Sequence, residues 1–150
     1  MKTPLALLCL FLLYSAQLVA QSPEELIDKF FTEYQAQGST VALDNLYGTN
    51  TWISKNSDAI TTLKNRLAGV NEELVGKYHG KELIIKRSVG ESLVLYSYMV
   101  KFDRQPVRFT FEFYKPNDEW IVFGFLFDDN LDDELEESAK IQMIRSTYDN

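Results

Sequence analysis

Cysteine is absent from this chain after Cys9, and His79 is its only histidine. The remaining residues can therefore form no disulfide and no thiolate metal site, and they offer no cysteine nucleophile. A single histidine also removes most transition-metal sites, because these need several imidazole, thiolate or carboxylate ligands. We accordingly predict no metal and no cofactor, and a domain that is stabilised by packing alone.

Positive charge is scarce as well. The chain has 15 lysines and arginines against 22 aspartates and glutamates, a net charge of −7. Much of the deficit lies in residues 128–150, where eight acidic residues meet only Lys140 and Arg145. Nucleic-acid binding requires a basic surface that neutralises phosphates, and binding to an anionic membrane has the same requirement. We therefore expect neither as a partner.

The first twenty residues have the pattern of a secretory signal peptide. Lys2 provides the positive start, an apolar run extends from Leu5 to Leu13, and Ala20 is a small residue at a cleavage point. The run is shorter than the about 20 apolar residues that span a membrane. We predict secretion or export to the periplasm with cleavage after Ala20, which leaves a body at 21–127 and an acidic tail at 128–150.

Three helices are predicted before residue 80. Serine, proline and glutamate at 22–25 form a strong helix start, and Gly38 ends that helix. A shorter helix is predicted over 41–47, with a connector or stub strand after it. The third helix begins at 56–58 and ends in a basic last turn at 77–80, which contains His79. Its apolar stripe has regular helical spacing and consists of Ile60, Leu63, Leu67, Val70 and Leu74.

After Gly80 the hydrophobic period changes from 3.6 to 2, which predicts strands over 83–87, 92–102, 107–114 and 120–127. Short turns between them make neighbouring strands antiparallel. The predicted fold class is therefore α+β, with three N-terminal helices packed on one face of a four-stranded antiparallel meander. The acidic tail is expected either to form a helix against the sheet or to fray.

The register follows from the turns. A two-residue turn at 104–105 places Phe102 opposite Val107, and the next loop places Phe113 opposite Ile121. The predicted inner face then contains Tyr96, Tyr98, Val100, Phe102, Phe109, Phe111, Phe113, Ile121, Phe123 and Phe125. The predicted outer face contains Leu93, Leu95, Met99, Tyr114, Trp120, Val122 and Leu126. Because both faces are largely apolar, we expect another surface, from this chain or from a partner, to cover the outer one.

This order of elements resembles the nuclear transport factor 2-like superfamily, which includes ketosteroid isomerases and SnoaL-like proteins. The opening helix at 23–31 and the last strand at 120–125 are similar to those of small exported bacterial domains of unknown function in that group. The resemblance covers residues 22–127. It implies a cone-shaped α+β domain, and dimers that form by sheet packing are common in the superfamily.

A second implication concerns the interior of the cone. The isomerase branch uses a tyrosine and acidic residues in an apolar cone, and Tyr96, Tyr98 and Trp52 would line it here. No Asp or Glu falls on the inner face of the predicted sheet, so no catalytic residue is assigned. The chain could then be a small apolar-ligand carrier or a minor isomerase-like enzyme. His79 lacks a predicted catalytic partner, and we expect it to stabilise the end of the third helix.

We favour a different function, a non-enzymatic binding domain that forms a homodimer or docks a protein partner through the outer face. The predicted interface residues are Leu93, Leu95, Met99, Tyr114, Trp120 and Val122. A third possibility is a structural accessory whose acidic tail keeps it soluble. The tail also contains the start of a calcium-loop pattern at 128–132, but Asp133 replaces the required glycine and Ala139 the required glutamate. No calcium loop is therefore predicted.

Overall fold

Residues 21–148 are described by the computed structural model; the predicted signal peptide lies outside this range. Four helical segments precede four strands, and a fifth helix follows. The elements are α1 Pro23–Gln37, α2 Ser39–Tyr47, α3 Asp58–Ala68, α4 Glu72–Val75, β1 Tyr78–Val89, β2 Leu93–Phe102, β3 Val107–Tyr114, β4 Ile121–Asp128 and α5 Asp132–Tyr148. The predicted α+β class is confirmed, and the acidic tail does form a helix.

Helix α1 begins and ends as its sequence predicts. The Ser22 hydroxyl accepts a hydrogen bond from the Glu25 amide at 3.2 Å, and the Glu25 carboxylate accepts one from the Ser22 amide at 2.7 Å. These two bonds satisfy amide donors that have no partner inside the helix. The helix ends at Gly38, whose φ of 90° lies in the left-handed region that favours glycine.

The predicted third helix is wrong beyond Ala68. Helix α3 ends at Gly69, and a separate helix, α4, starts after Asn71, whose side chain accepts a hydrogen bond from the Leu74 amide at 3.1 Å. Glycine weakens a helix interior, and a good cap two residues later favours a new start. Strand β1 consequently begins at Tyr78, so His79 lies in a strand and not in the last turn of a helix.

The sheet has the order β1-β2-β3-β4, and all pairs are antiparallel. The register of β2 against β3 differs by two residues from the prediction, since Val107 pairs with Val100 and not with Phe102. The turn is longer because its residues bind elsewhere: the amides of Asp103 and Arg104 donate to the carbonyls of Lys77 and Val75 at 3.2 and 3.0 Å. A shift of two residues keeps every side chain of both strands on its predicted face.

Strand β4 departs from the prediction by one residue. A bulge between Glu112 and Phe113 places Val122 opposite Phe113 and leaves Phe123 without a direct partner. Val122 is therefore fully buried and Phe123 is 59% exposed, the reverse of their predicted faces. Thr49 and Asn50 bind the backbone of Val122 from the α2–α3 connector, at 2.9 Å to its amide and 2.8 Å to its carbonyl. This connector consists of turns, and no stub strand forms within it.

The core contains side chains of the helices and of the inner face of the sheet. Helix α1 supplies Leu26, Ile27, Phe30 and Phe31, and α2 supplies Ala42, Leu43, Leu46 and Tyr47. The sheet supplies Val94, Tyr96, Tyr98, Val100, Val107, Phe109, Phe111, Phe113, Val122 and Phe125. Most of the predicted inner face of β2 and β3 is thus confirmed.

Candidate functional site

Aromatic rings fill the space between α1 and the inner face, where a ligand cavity was predicted. The ring of Phe30 lies 5.1 Å from that of Phe111 and 5.3 Å from that of Phe125, measured between centroids. Phe111 and Phe125 are themselves 5.0 Å apart, and Phe30 and Phe111 are no more than 1% exposed. Such edge-to-face and tilted packing is typical of a solid core.

The three residues predicted to line that cavity have different positions. Tyr96 and Tyr98 do face the interior and are 2% and 9% exposed. Trp52 is 91% exposed in the α2–α3 connector, so its predicted place inside the cone is wrong. Its backbone amide donates to the Asn50 side chain at 3.0 Å, and this turn directs the indole ring away from the core.

A charged cluster that the sequence did not reveal surrounds the Tyr96 hydroxyl. This hydroxyl donates to the carboxylate of Glu24 in the first turn of α1, and the Lys86 ammonium lies 2.8 Å from the same carboxylate. Lys86 also lies 4.9 Å from the centre of the Tyr96 ring. The alternation of the strands indicates acidic residues on the sheet only, whereas this carboxylate comes from a helix.

The three groups of this cluster have fixed charge states near neutral pH. Burial raises the pKa of Tyr96, and its bond to Glu24 raises it further. Burial opposes ionisation of Glu24, but the hydrogen bonds from Lys86 and Tyr96 outweigh it and lower the pKa of that carboxyl. The bond to Glu24 raises the pKa of Lys86. Each shift moves the pKa of its group further from pH 7. The hydrogen bonds of the cluster join α1 to the sheet.

His79 forms a second polar contact, with Asp103 at 2.5 Å between Nε2 and Oδ1. Asp103 also accepts a hydrogen bond from the Lys77 amide at 2.7 Å, and these two bonds, that of His79 first, lower the pKa of the Asp103 carboxyl. Both side chains are about half exposed. The pair links the start of β1 to the turn after β2, beside Gly76, where a Cβ atom would lie 2.4 Å from that of Asp103. The pair therefore holds these two segments together.

A surface cleft of about 500 Å³ lies near the end of α1 and includes Tyr34, Ser39, Asn71, Tyr78 and Phe102 among its lining residues. The Tyr34 hydroxyl donates to the Val70 carbonyl at 3.1 Å. Burial and the nearby Tyr78 raise the pKa of Tyr34 to about 12. Its hydroxyl is thus both neutral and bonded within the protein; Ser39, Glu72 and Lys77 are further polar residues in the lining.

The outer face of the sheet is a further apolar feature. We use this name for the solvent side of the sheet, whose apolar residues are Ile85, Val89, Leu93, Leu95, Met99, Tyr114, Ile121, Phe123 and Leu126. The predicted inner position of Ile121 is wrong, because the bulge between β3 and β4 pairs Ile121 with Tyr114. Val89 is 74% exposed, Phe123 and Leu126 are each 59% exposed, and Tyr114 is 42% exposed. Leu93, Leu95 and Met99 are half-buried, as neighbours on the same face shield them. The exposed sheet face predicted from the sequence is therefore present, with Ile121 and Phe123 as additional members.

Two residues predicted for this face do not contribute to it. Val122 points into the core, as described above. Trp120 is half-buried against the core, and the Lys115 ammonium lies 5.6 Å from its ring. The exposed residues border an apolar groove of about 260 Å³, which is lined by Arg87, Ser88, Val89, Leu93, Val94, Leu95, Glu112 and Phe123.

No family model matches the chain, and neither a curated protein nor a solved structure shows significant similarity to it. Over residues 21–148, no helix has both the length and the apolar character that crossing a membrane requires. The same part of the chain contains no cluster of three or more histidine, cysteine, aspartate or glutamate side chains that could hold a metal ion.

Helix α5 joins the outer face through one arginine. Arg108, opposite Met99 on that face, contacts Asp128 at 2.9 Å and Glu134 in the first turn of α5 at 2.7 Å. The bond to Asp128 is the main reason that the pKa of Arg108 is raised. Beyond Glu134, every side chain from Leu135 to Thr147 is exposed. The helix therefore starts at the outer face and then leaves it.

Proposed function

We propose that this protein is an exported, non-enzymatic interaction domain that self-associates through the outer face of its sheet. The observation that supports this most directly is the exposure of Val89, Phe123 and Leu126 on a sheet whose other side is already fully packed. Large apolar patches on a water-soluble surface are typical of protein–protein contacts. The signal peptide predicted at residues 1–20 supports the proposed export.

We also propose that the domain has the cone-shaped fold of the nuclear transport factor 2-like superfamily, with its N-terminal helices on the inner face of the sheet. Support comes from the order of the elements and from α1, whose Phe30 and Phe31 rings contact Phe109 and Phe111. The alternative function, a carrier or isomerase-like enzyme, needs an internal cavity beside Tyr96 and Tyr98. The rings of Phe31 and Phe111 pack against Tyr98, and the space of about 330 Å³ beside Tyr96 is a surface cleft that Glu24 and Lys86 also line. The packing therefore does not favour this alternative.

The decisive measurement is the solution mass of residues 21–150 by sedimentation velocity over a range of concentrations. We expect a reversible dimer. A chain that stays monomeric up to about 100 µM would contradict the proposal, because interfaces of micromolar affinity are formed at that concentration.

Charge substitutions then locate the interface. Phe123→Glu and Leu95→Glu place a carboxylate on the outer face, and we expect each to raise the dimer dissociation constant at least tenfold. Leu74→Glu is the matched control, since Leu74 is 60% exposed but lies in α4, away from the sheet face. Circular dichroism and thermal unfolding of each variant would show that the monomer remains folded. Equal effects of all three substitutions would place the contact elsewhere.

A further inference from the structure

Helix α5 carries apolar side chains that have no contact to bury them within residues 21–148. Leu135 and Met143 are each 69% exposed, Ile144 is 57% exposed and Ile141 is 48% exposed. Helices in proteins gain most of their stability from packing an apolar face, and a helix of this length is marginal alone. The ion pair from Glu134 to Arg108 ties its first turn to the sheet, and no extensive packing against another element of residues 21–148 accompanies that pair.

These apolar residues lie on two sides of the helix. At 100° per residue, Leu135, Ala139 and Met143 cluster on one side, and Ile141 and Ile144 lie roughly opposite them. Because the apolar residues do not form a single stripe, packing of α5 onto one flat surface would bury one group and leave the other exposed. A helix of this kind needs contacts from two directions, and the same chain folded back on itself offers only its own sheet.

A second copy of the chain offers both contacts. We propose that α5 of each copy crosses the outer face of the other, so that its two apolar sides meet the partner's sheet and the partner's α5. This inference rests on the proposed self-association and adds which segments form the contact. It is a reciprocal exchange, in which each chain supplies one helix and one sheet face to a two-fold symmetric dimer.

The two halves of α5 differ in charge. Residues 138–148 contain Lys140 and Arg145 and no acidic residue. The acidic residues of α5 are confined to its first half, where Glu134 already binds Arg108. The groove of the outer face is largely apolar and has one charged residue of each sign in its lining, Arg87 and Glu112. The second half of α5, which carries fewer charges and more apolar side chains, therefore fits the groove better than the acidic first half.

The size of the contact is also sufficient. Helix α5 has 17 residues, which makes it about 25 Å long and about 10 Å wide. Two reciprocal helix-on-sheet contacts of that footprint cover four surfaces of about 250 Å² each, or about 1,000 Å² in total, where specific interfaces begin. Contact between the two α5 helices adds to this area.

Disulfide trapping tests the exchange directly, because the mature chain has no cysteine of its own. One full-length mature chain carries Ile144→Cys and a second, isotopically labelled, carries Val89→Cys at the edge of the groove. Mixed under mild oxidation, the two are expected to form a cross-link between different chains. Leu74→Cys in place of Val89→Cys is the control for random collision, and we expect at least tenfold less product from it.

Two results would overturn the exchange while leaving self-association intact. One is a dimer by mass in which Ile144→Cys cross-links to Val89→Cys no faster than to Leu74→Cys. The other uses a chain that carries both Ile144→Cys and Val89→Cys and is diluted into an excess of unmodified chain. An internal disulfide in that chain would show that α5 covers its own sheet. A monomer by mass would instead refute the proposed self-association itself.

A pair of charge variants on α5 provides an independent readout. Ile144→Asp is expected to raise the dimer dissociation constant at least tenfold, because it puts a carboxylate on an apolar side of the helix. Ser138→Asp adds the same charge at an exposed polar position between the two apolar sides of the helix and is expected to change the constant less than threefold. Equal effects of the two variants would show that the net charge of α5, and not its apolar sides, controls association.

Discussion

The two faces of this sheet carry similar side chains in different surroundings. Phe111 on the inner face is fully buried beneath α1, whereas Phe123 on the outer face is 59% exposed. Apolar composition alone therefore does not distinguish a core from an interaction surface. What distinguishes them is whether another element of the same chain covers the face. Helix α1 covers the inner face, whereas α5 does not cover the outer face.

Each face also has a charged link to a helix. The two links differ in how well the linked helix packs against the sheet. Glu24 joins α1 to Tyr96 and Lys86 at the edge of a packed core. Arg108 joins α5 to the outer face through Asp128 and Glu134, and the helix beyond that point has no packing. The first link therefore supplements an existing contact, whereas the second is the main attachment of its helix.

The largest expected effect is on the free energy of unfolding, and it compares one phenylalanine from each face. Phe111→Ala should lower the free energy of unfolding by about 3–5 kcal/mol, because it removes buried surface and leaves a cavity among packed rings. Phe123→Ala should change it by no more than about 1 kcal/mol in the monomer. Denaturant unfolding at concentrations where the chain is monomeric gives both values. A loss of similar size for Phe123→Ala would mean that the outer face is covered within a single chain.

Much of this difference between the faces could be predicted from local sequence. The start of α1 follows from Ser22 and Glu25, whose two hydrogen bonds span three residues. The faces of β2 and β3 follow from strict alternation, which stays correct even though their register shifts by two residues. Patterns of this kind need no knowledge of the rest of the fold.

The remaining features depend on contacts that are distant in sequence. Val122 and Phe123 exchange faces because Thr49 and Asn50, more than 70 residues away, bind the backbone of β4. Glu24 reaches Tyr96 over 72 residues, so no local pattern could reveal that cluster. The prediction that His79 lies in a helix was wrong for a local reason. Asn71, two residues after Gly69, is a typical helix N-cap and indicates the start of a second helix.

The next prediction concerns the attachment of α5. Arg108→Gln removes both ion pairs from a largely buried guanidinium, so we expect the free energy of unfolding to fall by about 1–2 kcal/mol. The helical signal in circular dichroism should fall as well, because α5 loses its main attachment. Arg87→Gln is the control, since Arg87 is exposed on the same face and has no ion pair within residues 21–148. An unchanged helical signal in Arg108→Gln would show that α5 is stabilised by another contact.

The smallest expected effect concerns the link on the inner side and depends on pH. The pKa of Glu24 is lowered in the folded protein, because hydrogen bonds from Lys86 and Tyr96 outweigh the opposing effect of burial. A carboxyl group of this kind stabilises the fold above its unfolded pKa, which is near 4.5, and the contribution is lost as the pH falls through the lower, folded value. Glu24→Gln should therefore destabilise the protein more at pH 7 than near pH 3.

The size of that effect is limited because the Glu24 side chain is 49% exposed. Solvent screening reduces the expected loss at pH 7 to at most about 1 kcal/mol. Glu82→Gln is the matched control, as Glu82 forms a similar exposed pair with Lys101 on the outer face, at 2.7 Å, but binds no buried tyrosine. Urea unfolding of both variants at pH 7 and pH 3 should show a larger, pH-dependent loss for Glu24→Gln. Equal losses at both pH values would indicate that Glu24 stabilises the protein through packing of α1 and not through its charge. The ion pair of Glu24 with Lys86 would then contribute no more to stability than the exposed pair of Glu82 with Lys101.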